Sequence, residues 1–129
     1  MKYIIWVLLV SIMSLLYLPL EVASYEAPVE PVKPPIKEYA EKLVNDTFGG
    51  GWKEFETLIA RESNWNSEAQ NPNSSAFGYA QFLNSTWKTV GCVKTTDPYI
   101  QIDCAVKYVQ ARYTSPEKAL VFHRKNNWY

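Results

Sequence analysis

Four prolines between Glu26 and Pro35 limit what this chain can fold into. Pro28, Pro31, Pro34 and Pro35 stand among Val, Glu and Lys. A stretch of that kind stays semi-extended and cannot contribute a core. Before it, residues 3–20 carry no charge, and only Ser11, Ser14, Pro19 and two tyrosines interrupt the apolar run. As a helix those residues would span about 27 Å, close to the ~30 Å hydrocarbon core of a bilayer. The run lies behind Met1-Lys2, is longer than an ordinary signal-peptide core, and is followed by Val22-Ala23-Ser24, an acceptable small-residue cleavage site. Residues 1–24 therefore read as a signal peptide or an N-terminal membrane anchor, with a tether through residues 3–20 in the second case. Either reading exports the protein, to the periplasm, the cell envelope or the medium. Residues 25–35 read as a Pro-rich linker, and residues 36–129 as the folded domain. A domain of that size buries only about 60–65% of its unfolded surface, so its stability margin is narrow.

Composition removes several functions. With 13 basic and 13 acidic side chains the net charge is zero, which argues against nucleic-acid binding driven by phosphate neutralisation. One His and two separated Cys are too few for a His/Cys zinc site, and any Ser-His-Asp triad would have to use His123. Gly49-Gly50-Gly51 lacks the spacing and the Lys of a phosphate-binding loop. In an exported chain, Cys92 and Cys104 are most simply a disulfide closing a loop of about 13 residues, worth roughly 3 kcal/mol. Two independent buried thiols are the alternative.

The domain reads as helices separated by polar loops. Ile36, Tyr39, Ala40, Leu43 and Val44 form a helical stripe that Gly49 to Gly51 terminate. A second helix covers Trp52 to Ser63, and the Asn- and Ser-rich stretch from Asn64 to Ser75 is a loop. A short helix follows Asn84 or Ser85, takes in Trp87 and Val90, and stops at Gly91. Asp97-Pro98 and Ser115-Pro116 each place a capping side chain before a proline at the first helical position. They open helices to about Tyr113 and about Lys125. Residues 77–82 could add one short β-hairpin. The expected class is all-α.

One acidic residue is out of place. On the second helix Trp52, Phe55, Leu58 and Ile59 share a face, while Lys53, Thr57 and Arg61 point away. Glu62 follows those apolar residues by ten, seven, four and three positions and lies in the middle of their arc. A carboxyl on a core-facing stripe must be paired, protonated or functional. Desolvation would raise its pKa toward the range where a Glu donates a proton near neutrality. The plainer reading is a Glu in a frayed last turn, turned out to solvent.

Beyond Glu62-Ser63 come the Asn-rich loop and then Ser74-Ser75-Ala76-Phe77-Gly78-Tyr79-Ala80-Gln81. A helix-ending Glu-Ser, a Gly-x-x-Gln some dozen residues on, the Asp97-Pro98 helix start and a late Ala119-Leu120 helix together resemble the lytic transglycosylases of the lysozyme-like superfamily. These are bacterial and phage enzymes that cleave peptidoglycan glycan strands. The likeness covers about Trp52 to Tyr129 and implies a small lysozyme-like helical domain with an active-site cleft. It implies Glu62 as the catalytic acid and a glycan groove at Ser63, Gly78, Tyr79, Gln81 and His123. It implies no cofactor, no metal, a monomer, and peptidoglycan as the partner. Two departures stand out. Gly78-Tyr79-Ala80-Gln81 replaces the family's usual Gly-Leu-Met-Gln, and Ala119-Leu120-Val121-Phe122-His123 occupies the place of its Ala-Tyr-Asn signature.

A two-carboxylate glycosidase needs a second acid about 5–10 Å from the first. The aspartates Asp97 and Asp103 are assigned to helix starts and capping, which agrees with the one-carboxylate reaction that the resemblance implies. In it Glu62 protonates the MurNAc–GlcNAc β-1,4 oxygen and then takes the 6-hydroxyl proton as a 1,6-anhydro ring closes. A lysozyme-type hydrolase and a non-catalytic wall-binding module of the same fold are the alternatives. Asn64, Asn66, Asn71 and Asn73 are candidates for sugar hydroxyls or for turn chemistry. Trp65, Phe77 and Tyr79 are candidates for sugar stacking or for core. His123 reads more simply as a helix-surface residue than as a base, and Trp87 and Trp128 as packing. Residues 25–74 hold five basic and nine acidic side chains, residues 75–129 seven and three. That basic second half modestly favours an anionic polymer.

Overall fold

The structure, a computed structural model, describes residue 24 and residues 26–129. The leader and its tether lie outside the described residues. Residues 26–32 are exposed and without regular secondary structure. No helix among the described residues is long and apolar enough to cross a membrane.

Lys33–Tyr129 form one compact unit of five helices, α1 Ile36–Phe48, α2 Trp52–Ser63, α3 Asn84–Thr89, α4 Pro98–Tyr113 and α5 Pro116–Asn126. The all-α class holds. In place of a hairpin there are isolated bridges, Gln70 to Phe77 and Phe77 to Phe82. Phe77 serves both, so the segment curls back on itself and has no length over which a ladder could form.

The helix starts follow the local chemistry. Asp97 accepts from the backbone N–H of Tyr99 and Ile100 at 2.9 and 3.2 Å, and Ser115 accepts from Lys118 N at 3.4 Å, each before a proline. The short helix begins one residue earlier than its polar residues suggest. Its cap position is Leu83, which makes no side-chain bond, and Val90 and Gly91 lie beyond its end. The α1–α2 connection needs glycine at Gly51, where φ is +85° and an added Cβ would stand 2.9 Å from Glu117 Oε1.

Four helices close into a ring. α1 packs on α2 and α4, and α5 packs on α2 and α4. α4 is the central element and buries Ile102, Cys104, Ala105, Val106, Tyr108 and Val109. The α2 stripe adds Phe55, Leu58 and Ile59 to the same core, all fully buried and each worth about 1.5–3 kcal/mol of apolar burial. Asp103 is not a cap. It lies in the second turn of α4 and accepts a 2.6 Å hydrogen bond from Tyr39 Oη, tying α1 to α4. That bond, with burial second, pushes the Tyr39 phenol up to about 12.

Cys92 and Cys104 form the expected disulfide, fastening the strap after α3 to the middle of α4. Gln101, one helical turn nearer the start of α4, is buried to 1% exposure. It accepts from Tyr79 N at 2.9 Å and donates to Ser67 O at 2.8 Å and Thr95 O at 2.9 Å. One amide thereby joins the first loop, the turn at residues 78–81 and the strap after α3. These are the walls that the site is built on.

Candidate active site

A cleft of about 450 Å³ opens beside the end of α2. Its floor and walls come from α2 (Glu62), the residue 71–83 loop (Asn71, Gln81), α3 (Thr86), α4 (Tyr108, Arg112) and the tail (Trp128, Tyr129). Glu62 is the one carboxylic acid among the lining residues.

Glu62 lies where the helical wheel places it. Its side chain is 15% exposed, and burial pushes its pKa from 4.5 up to about 7. The solvent-facing alternative for this residue is thereby set aside. Its Oε1 lies 2.7 Å from Nε2 of His123. His123 is not a helix-surface residue. It is buried on α5, pressed against α2, and is not among the residues lining the cleft. Burial first, and the Arg61 charge second, lower the imidazole pKa. Both partners are thus driven toward their neutral forms. Both shifts disfavour an ion pair at this contact.

The other expected site residues divide into two groups. Gln81 lines the cleft. Its backbone takes φ +51°, and its Nε2 donates to Ala69 O and Gly78 O, both at 2.9 Å. Both amide hydrogens are committed to the loop, which leaves the side-chain oxygen as an acceptor. Gly78, Tyr79 and Ser63 stand behind the wall. Gly78 has φ +80°, and a Cβ there would meet Gln101 Oε1 at 2.6 Å, so the close approach of loop to α4 requires glycine. Tyr79, a candidate for the groove, is buried in the core with its ring against Trp65 at 5.5 Å. Ser63 donates back to Ile59 O at 3.3 Å within its own helix.

The loop asparagines mostly perform turn chemistry. Asn66 and Asn71 accept from the backbone N–H two residues on, and Asn64 ends α2 in the left-handed region. Only Asn71 of the four also lines the cleft. Trp87 is buried, as expected, whereas Trp128 is 52% exposed and lines the cleft while its ring meets Phe122 edge-on at 4.9 Å. Sequence reasoning did not single out Arg112. Its guanidinium stands 5.2–5.8 Å from the rings of Tyr108, Tyr113, Phe122 and Trp128 and donates to Tyr108 Oη at 2.8 Å. The visible signal was spacing, since Gln101, Ala105, Tyr108 and Arg112 recur along one face of α4.

Tyr129 closes the site. Its hydroxyl is buried without a partner, and burial first, then the Glu62 charge, hold its pKa well above the ordinary phenol value. Its ring lies 5.5 Å from Tyr108 and 6.2 Å from His123.

Among protein families, the model described as the transglycosylase SLT domain matches residues 39–127. No curated protein and no solved structure matches the chain.

Proposed function

The chain belongs to the transglycosylase SLT domain family, and from that premise we propose that it cleaves the MurNAc–GlcNAc β-1,4 bond of peptidoglycan with Glu62 as its single acid and base. Family membership carries the coarser statements: a peptidoglycan-cleaving domain of the lytic transglycosylase type, working in the cell envelope after export. The finer assignment rests on one observation, that the mostly buried Glu62 is the one carboxylic acid lining the cleft, and burial raises its pKa to about 7.

The steps follow from that chemistry. Protonated Glu62 gives its proton to the glycosidic oxygen as the bond to the leaving sugar breaks. The substrate's own N-acetyl oxygen stabilises the positive charge at the anomeric carbon, a role that a second carboxylate fills in ordinary retaining glycosidases. Glu62, now ionised, accepts the proton of the muramyl 6-hydroxyl, whose oxygen attacks the same carbon. The products are a free 4-hydroxyl and a 1,6-anhydromuramyl end, and Glu62 is again protonated. Gln81, Asn71 and Trp128 line the cleft, which supports sugar hydroxyls held by the first two and a sugar ring stacked on the third.

Mass spectrometry of digested peptidoglycan tests the assignment, with Glu62→Gln beside the unaltered protein. Products lighter than hydrolytic fragments by one water, absent with the variant, are expected. Hydrated reducing ends would replace the mechanism with hydrolysis, and wall binding without products from either protein would replace it with a scaffold.

A further inference from the structure

His123 stands on the closed side of Glu62, within 2.7 Å of Oε1 and out of the cleft. Its Nδ1 is buried without a partner. Two tautomers are possible, and they have opposite consequences. With the proton on Nδ1, a buried N–H would be orphaned, and the Nε2 lone pair would draw the Glu62 proton onto Oε1, away from the sugar. With the proton on Nε2, the imidazole donates to Oε1, the unpaired atom is an acceptor, and Oε2 is left to carry the reacting proton. Buried donors without partners are rarer than buried acceptors without them. Packing on the second tautomer therefore agrees with the needs of the chemistry.

We propose that His123 is the positioning residue of the acid: its Nε2–H holds Oε1 of Glu62 from behind, aims Oε2 at the glycosidic oxygen, and supports the carboxylate in the interval between the two proton transfers. The role rests on the reading of Glu62 given above. A donor to the ionised form favours that form, so His123 opposes the burial that drives Glu62 upward. The imidazole itself neither gains nor loses a proton in the cycle. The charged and titratable groups that face it are Glu62 at 2.7 Å, Arg61 on α2 and Tyr129 in the tail. Glu62 is the one carboxyl among them and, once ionised, favours an imidazolium, which burial and the Arg61 charge oppose.

His123 is the only histidine in the chain, so nitrogen NMR of the full protein, ¹⁵N-labelled at histidine and free of a histidine tag, reads one imidazole. A neutral ring protonated at Nε2 is expected across pH 6 to 8. A ring protonated at Nδ1, or an imidazolium at pH 7, would overturn the proposal, and this readout needs neither turnover nor a variant.

The second arm is the pH profile of peptidoglycan cleavage. Cleavage falls as pH rises through the Glu62 pKa, because the acid must start protonated. His123→Leu removes the donor and should move that limb upward by about one to two pH units. Its maximal rate should drop about tenfold or more. His123→Gln, whose amide N–H can reach Oε1, should restore both. An unmoved limb in His123→Leu, or a His123→Gln no better than His123→Leu, would overturn the positioning role. Full cleavage by Glu62→Gln would instead refute the assignment of the acid and leave the nitrogen spectrum of the unaltered protein as found.

Discussion

The burial of Glu62 has a thermodynamic signature that needs no substrate. Its pKa stands at about 7 in the folded chain against an ordinary 4.5. Between those values the folded state binds more protons than the unfolded state, so unfolding free energy falls as pH rises through that window. The cost is absent below about pH 4.5 and fully present above about pH 7. At about 1.4 kcal/mol for each tenfold, it has a ceiling of about 3 kcal/mol. The carboxyl faces a water-filled cleft, so solvent screening reduces this to about 1–2 kcal/mol. Glu62→Gln has the same shape, keeps an oxygen for the His123 N–H, and never ionises. At pH 8 it should unfold about 5–10 °C above the unaltered protein, on the scale of about 4–8 °C per kcal/mol for a domain of this size. At pH 4 the two should coincide. Calorimetry at both pH values measures the difference, and any fixed effect of the amide cancels between them. A stability gain at pH 8 no larger than that at pH 4 would refute the reasoning that Glu62 is held in a desolvated site.

Three further outcomes test how the walls are held. Gln101→Leu strands the Tyr79 N–H and the Ser67 and Thr95 carbonyls and should cost about 2–4 kcal/mol in denaturant titration; a loss below about 1 kcal/mol would deny the clamp. Gly78→Ala combines φ +80° with a Cβ 2.6 Å from Gln101 Oε1, and should cost about 2–3 kcal/mol by the same measurement. Reducing Cys92–Cys104, twelve residues apart in sequence, should lower unfolding free energy by about 3 kcal/mol. A midpoint insensitive to reductant would deny that contribution.

The helices were legible because their signals are local. Asp97-Pro98 and Ser115-Pro116 cap and start α4 and α5 within a few residues, and the apolar stripe of α2 needs only its own periodicity. Glu62 was legible for the same reason, as a polar residue interrupting a narrow stripe. Gln101 is a more deeply buried polar residue and escaped notice because α4 is buried over most of its circumference, leaving no narrow stripe to interrupt. His123 was misjudged as surface for a related reason. Arg124 and Lys125 follow it, so the local pattern looks solvated, and only the packing of α5 on α2 turns His123 inward. Asp103 likewise depends on a partner 64 residues away in sequence, Tyr39.

What periodicity could not supply is which buried polar groups find each other, and that pairing is what separates the two uses of polarity in this domain. Gln101 makes a hydrogen bond with its side-chain oxygen and two with its amide nitrogen, and spends them on three loop segments, so its environment is closed. Glu62 has a partner at one oxygen, His123, and lines a cleft that holds no other acid. A fully satisfied buried amide rigidifies the fold. A half-satisfied buried carboxyl destabilises it at neutral pH, and natural domains retain such a cost where the free atom has work to do. The difference in satisfaction between Glu62 and Gln101 supports the proposal of Glu62 as the reacting group, with Gln101 holding the loops together.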